Sequence, residues 1–122
     1  MGKFAQDHVD YRDSGDGKTV TLLCPIAYTA NNGSVYIAPT GFVSDLASVG
    51  MARHLIPKWG THNKAAILHD WLYTSVRVSR RHADKVFDEA LKADGVWWWR
   101  RKLMYRGVRL FGASHYGFKN YP

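Results

Sequence analysis

The chain has a single cysteine, Cys24, in 122 residues. That excludes an internal disulfide framework and any cysteine-based metal spacing, and it fits a reducing compartment or any place where no staple is needed. No apolar run is long enough to span a bilayer, and Met1-Gly-Lys-Phe-Ala-Gln-Asp7 lacks the apolar centre of a signal peptide. Gln6 stands where a myristoylation signal needs Ser or Thr. Acidic residues stop at Asp94, while Arg100, Arg101, Lys102, Arg106, Arg109 and Lys119 all follow it. The formal charge of +7 is therefore concentrated in a cationic C-terminal quarter, suited to phosphate-bearing partners or acidic surfaces.

Aromatic residues, in contrast, are plentiful: five Trp, seven Tyr and five Phe in a chain with room for one modest core. Read in order, residues 1–18 are polar, with Asp7, Asp10, Asp13 and Asp16 at intervals of three. An EF-hand loop would need a closing glutamate and flanking helices, so a solvated arm or edge hairpin is expected. Thr19 to Tyr28 is rich in strand formers, with Pro25 marking an edge or bulge. Asn31-Asn32-Gly33 signals a turn into Ser34–Ala38, and the pair predicts an antiparallel hairpin or meander over 19–40. Periodicity then stops. Ser44 and Asp45 can cap a short helical turn, or Asp45 can be a carboxylate carried by the loop of residues 41–60 towards a buried helix.

That helix begins near Thr61 to Asn63 and carries His69-Asp-Trp-Leu-Tyr73. At 3.6 residues per turn, Ala65, Ala66, Leu68, Leu72 and Tyr73 share one broad face with His69 in its middle, and Asp70 lies about 100° round. Ile67 and Trp71 make the far side apolar as well, so the helix is expected to be buried on most of its circumference. Ser79 reads as the N-cap of a second helix, Arg80 to Asp94, closed by Gly95. Ala83, Val86, Phe87, Ala90 and Leu91 form its apolar stripe, and Asp84 sits on the border of that stripe. A third helix, Val96 to Phe111, places Leu103, Met104, Gly107, Val108, Leu110 and Phe111 on one face and Arg101, Lys102, Arg106 and Arg109 on the other. The expected fold is one α+β domain: an N-terminal hairpin or meander on a two- to three-helix layer, with an antiparallel helix pair carrying His69 and Asp84.

Facing each other across that pair, His69 and Asp84 make a base and its orienter, with water as the nucleophile because no Ser or Cys stands beside them. The same pair can instead be a polar clamp between helices. Zinc is set aside. His62 and His69 share a face but lie about 10 Å apart along the axis, His54 and His82 have no partner at ligand spacing, and His8 and His115 read as surface. Trp97-Trp98-Trp99 beside Arg100, Arg101 and Lys102 reads as a core plug, a protein contact or an interfacial membrane anchor, with the first two preferred. Stacking on nucleic acid is disfavoured, since only Tyr105 interleaves well with the cations. Trp97, Trp98, Arg100, Arg101, Lys102, Arg106 and Arg109 are the candidate binding residues.

Gly41-Phe-Val-Ser-Asp-Leu-Ala-Ser48, His69-Asp-Trp-Leu-Tyr73 and Ala83-Asp84-Lys-Val-Phe87 together resemble a family of small phage and prophage proteins catalogued as a domain of unknown function. The resemblance extends from about Gly41 to Phe111. It implies a phage origin, other virion proteins as partners, and a location in the virion or host cytoplasm. The chain also resembles, more distantly, the secretory and viral-capsid phospholipases A₂, whose His-Asp-x-x-Tyr helix faces a second helix bearing an aspartate. That resemblance implies His69 as general base for water, Asp84 as its orienter, Tyr73 hydrogen-bonded to Asp84, and Asp70 holding Ca²⁺. The glycine-rich calcium loop of those enzymes has no counterpart before Asn63, where Trp59-Gly60-Thr61 stands, and their disulfides are absent. Asp45 is then either a replacement ligand or a cap. Two functions follow as expectations: a virion- or tail-associated hydrolase acting on cell-envelope lipid or another ester or amide, or a non-catalytic virion part in which the dyad ties helices together.

Overall fold

The computed structural model describes residues 2–5, 10–13, 15, 19–44, 63–76 and 78–111. Among the described residues six short strands precede three helices, and the expected α+β architecture is what they adopt. The strands are β1 (Lys3–Phe4), β2 (Tyr11–Asp13), β3 (Val20–Leu22), β4 (Ile26–Thr29), β5 (Val35–Ala38) and β6 (Val43–Ser44). They form two antiparallel three-stranded sheets, ordered β1-β4-β5 and β2-β3-β6.

The run from Thr19 to Tyr28 is two strands, not one. Pro25 has no N–H to give a ladder, and the chain leaves one sheet after Leu22 and joins the other at Ile26. The hairpin expected at Asn31-Asn32-Gly33 does form, with Ile26 opposite Ala38 and Tyr28 opposite Tyr36. Gly33 takes φ +87°, which glycine adopts without strain, and its N–H donates to Ala30 O at 3.0 Å. Near the N-terminus, β1 and β2 are edge strands that pair with β4 and β3 rather than with each other. A Cβ at Gly2 would overlap the Tyr28 hydroxyl, so only glycine lets the chain pass there. β6 lies within the expected loop and pairs with β3, placing Ser44 in a strand instead of a helical cap.

The helices are α1 (Asn63–Ser75), α2 (Arg80–Ala93) and α3 (Trp98–Phe111). α1 ends at Val76, whose φ of +54° is a left-handed conformation seldom taken by a β-branched residue. Ser79 caps α2 as its spacing predicts, accepting a hydrogen bond from His82 N at 3.1 Å. The core lies between sheet and helices. Phe4, Tyr28 and Phe42 meet Ala65, Ala66, Leu68 and Leu72 of α1 and Ala83, Phe87, Ala90 and Leu91 of α2, all buried. Trp71 covers one edge, its ring 5.2 Å from that of Phe42.

Polar ties fix the first sheet to the helices. Glu89 on α2 accepts from the Tyr28 hydroxyl at 2.6 Å and from Asn31 N at 2.7 Å. Lys64 pairs with Asp94 at 3.2 Å and lies over the Phe4 ring. These contacts and the sheet hold α1 and α2 in the register that defines the site.

Candidate functional site

His69 and Tyr73 lie at i and i+4 on α1, so one turn of helix stacks them on the same face. Their ring centroids are 4.2 Å apart, and Phe87 of α2 lies on His69 at 4.6 Å. The connection from Val76 to Ser79 returns the chain antiparallel, which brings Asp84 opposite them one turn into α2. Asp84 Oδ1 is 2.7 Å from His69 Nε2 and accepts from the Tyr73 hydroxyl at 2.5 Å. The other oxygen, Oδ2, accepts from Arg109 Nη1 at 2.7 Å. Both members of the pair are buried, His69 at 1% exposure and Asp84 at 0%. The three described helices thus converge on one carboxylate.

The helical period groups Arg109 with the outward-facing cations of α3, and this contact turns it inward. Arg80 helps to hold it there, donating through Nη2 to Val108 O at 2.7 Å and Arg109 O at 2.5 Å. Those carbonyls lie in the last turn of α3, where carbonyls have no partner within the helix. Nothing in the sequence around Arg80 marks it for this role, because the contact depends on how α3 docks.

Burial would raise the carboxyl of Asp84, but hydrogen bonds from His69, Tyr73 and Arg109 outweigh it and hold the group below its ordinary value. Burial pushes His69 the other way for a base, below its usual range, with the Asp84 bond only partly opposing it. At neutral pH the pair is therefore an ionised carboxylate and a neutral imidazole. An ionised carboxylate can only accept, so Nε2 carries the proton and Nδ1 the lone pair. Burial and the bond to Asp84 push the Tyr73 hydroxyl well up, so it remains a donor. Chemically, this is an oriented neutral base whose protonated form would be stabilised by an adjacent anion.

Of the residues suggested for metal binding, only Asp70 is among the described residues. Asp70 is buried beside His69 on α1, whereas Asp45 lies outside the described residues, as do His8, His54, His62 and His115. Among the described residues, no group of three His, Cys, Asp or Glu gathers as a metal site. His82 is engaged elsewhere, its Nε2 2.7 Å from the Tyr36 hydroxyl. A cavity of about 340 Å³ lies between β5 and α1, lined by Val35, Tyr36, Ile37, Trp71, Leu72, Ser75 and Val78. Neither His69 nor Asp84 reaches it.

The candidate binding residues divide into two groups. Trp97, Trp98 and Trp99 are 69%, 64% and 43% exposed, which overturns the core-plug reading. Lys102 and Arg106 are exposed, and Arg100 stacks by Trp99 at 5.2 Å. Arg101 and Arg109 instead pair with Asp88 and Asp84 of α2, at 3.7 and 2.7 Å. Leu110, expected on the buried face of α3, is 72% exposed, while Met104 and Val108 are buried.

Residues 20–108 match a family described as a protein of unknown function, DUF1353. The chain belongs to the DUF1353 family. The matched span contains β3 to β6, α1, α2 and α3 through Val108, and with them His69, Tyr73 and Asp84. No curated protein and no solved structure matches this DUF1353 chain. No helix among the described residues is long and apolar enough to cross a membrane.

Proposed function

We propose that this DUF1353 protein is a phage-encoded, virion- or tail-associated hydrolase that uses His69 to activate water against an ester of the cell envelope, phospholipid being the first candidate. The observation that carries the reading is the shared carboxylate oxygen, with His69 Nε2 and the Tyr73 hydroxyl both on Asp84 Oδ1. That network orients the imidazole, makes Nδ1 the basic nitrogen, and supplies a negative charge against the imidazolium formed in the reaction. In the reaction His69 takes a proton from water as the oxygen bonds to the ester carbonyl carbon. The same proton then passes to the departing alkoxide as the ester C–O bond breaks. No step is routed through calcium. Because His69 is 1% exposed, catalysis also requires that the surface above it open to substrate. The phage origin and the virion association rest on the likeness of the Gly41–Ser48, His69–Tyr73 and Ala83–Phe87 boxes to phage proteins.

A second reading is favoured by Arg109. Its bond to Asp84 Oδ2 neutralises the carboxylate and completes a closed polar cluster linking three helices, as a structural clamp in a non-catalytic virion part would need. The two separate in one experiment: fatty-acid release from mixed anionic phospholipid vesicles, with calcium and with chelator, for wild type beside His69→Ala. Release by wild type and its loss in a His69→Ala variant that keeps its near-ultraviolet circular dichroism supports the hydrolase. Absence of release from folded wild-type protein sinks the phospholipid assignment. If His69→Ala also unfolds, the clamp becomes the better account.

A further inference from the structure

We infer that the outward face of α3, together with the tryptophans at its entry, is a docking surface for an anionic lipid bilayer. At about 100° per residue, Trp98, Trp99, Lys102, Arg106 and Leu110 fall within roughly 120° of one another on the helix circumference. All five are exposed, and the buried Met104 and Val108 occupy the opposite side. From Trp98 to Leu110 this stripe runs about 18 Å along the axis. It is apolar at both ends and cationic between them. A helix that lies in the plane of a membrane interface has this distribution, with indoles and aliphatic groups entering the headgroup boundary and Lys or Arg meeting lipid phosphates.

Charge narrows the choice of occupant. α3 contains no acidic residue, and the two acids of α2 nearest it, Asp84 and Asp88, are turned to Arg109 and Arg101. Among the described residues no ion pair engages Arg100, Lys102 or Arg106, so the outward charge is of one sign. Surface hollows of about 250 and 220 Å³ set indoles beside cations, one lined by Trp97, Trp99 and Arg100, the other by Asp88, Trp98, Arg101, Lys102 and Tyr105. Three successive tryptophans fan out over about 200°. A fluid interface accepts such a fan, whereas a rigid protein partner would need a matching socket and stacked bases would need the rings in register.

The surface uses none of the residues proposed for water activation, and the test keeps the two readings apart. Full-length protein is sedimented with vesicles of ether-linked phospholipids, which have no ester to hydrolyse, either phosphatidylcholine alone or mixed with phosphatidylglycerol. Partition onto the anionic vesicles only, weakened by salt and accompanied by quenching of tryptophan fluorescence by brominated lipid, is the expected result. Lys102→Gln and Arg106→Gln should each lower the partition about fivefold, and Trp98→Ala about tenfold. No partition onto anionic vesicles, or partition unchanged in a Trp98→Ala/Arg106→Gln double variant, overturns the surface, as does retention by a DNA duplex without retention by vesicles. Binding to ether vesicles without release from ester vesicles sustains the surface and removes the phospholipase. Release without binding does the reverse.

Discussion

α1 and α3 break the usual burial pattern in opposite directions. α1 hides a histidine and a carboxylate, His69 and Asp70, at 1% and 6% exposure, whereas α3 exposes Trp98 and Leu110 at 64% and 72%. The difference lies in their neighbours. α1 is covered by β5, β6 and α2, so any polar group on it must find a partner inside. α3 packs against α2 through Met104 and Val108 and leaves its far side to solvent. The buried polar groups should therefore govern stability and chemistry, and the exposed apolar groups should govern association. Substitutions in the two regions ought to show separate phenotypes.

Asp84→Ala should have the largest effect. It leaves His69 and Tyr73 buried without their acceptor and Arg109 without its partner, a loss of about 3–5 kcal/mol measurable by urea unfolding. A loss below 1 kcal/mol would mean that the cluster is not what holds the three helices. Arg109→Met should cost less, about 1–2 kcal/mol, because the Arg109 side chain is 32% exposed and water can take its place on Oδ2. Equal losses for the two variants would erase the distinction between a buried donor and a part-exposed one.

Acid should weaken the α1 side in two stages. The unfolded chain takes up a proton at His69 near pH 6.5, while the folded chain, with its histidine held lower, does not. The unfolded state then binds more protons, so this contribution is complete above pH 6.5 and is lost as pH falls below it. Asp84, held below 3.8, adds a contribution that is complete above that value and lost as pH falls through its folded pKa. Unfolding free energies measured from pH 7.5 to 5 should therefore decline in wild type and flatten in His69→Gln. A profile that persists unchanged in the variant would assign the decline to other groups. The smallest stability effect is expected for Trp98→Ala, within about 0.5 kcal/mol, despite its large expected effect on vesicle binding. A loss of several kcal/mol there would show that Trp98 is part of the core after all.

Much of the helix pair was legible from local chemistry. Ser79 and Gly95 bracket α2, the apolar period marks its inward face, and Asp84 stands out because a carboxylate at the edge of that stripe has no solvating purpose. A short connection between antiparallel helices then places it opposite His69. The strands were less legible, since Pro25 in the run from Thr19 to Tyr28 marks only an edge or bulge until tertiary packing sends its two halves to different sheets. Trp97 to Trp99 misled for a similar reason. Tryptophan is usually read as core, but where α3 enters all three indoles are exposed.

The sequence by itself determined the helix periods, the cap of α2 and the opposition of His69 and Asp84, because each depends on contacts within a few residues or across one short turn. Tertiary structure alone decided which cations of α3 face inward. Arg101 and Lys102 are adjacent in the chain and chemically alike. Yet Arg101 meets Asp88 and Lys102 faces solvent, because the docking of α3 on α2 sets their directions. Arg109 likewise becomes a partner of Asp84 only once α3 is docked with its last turn held by Arg80.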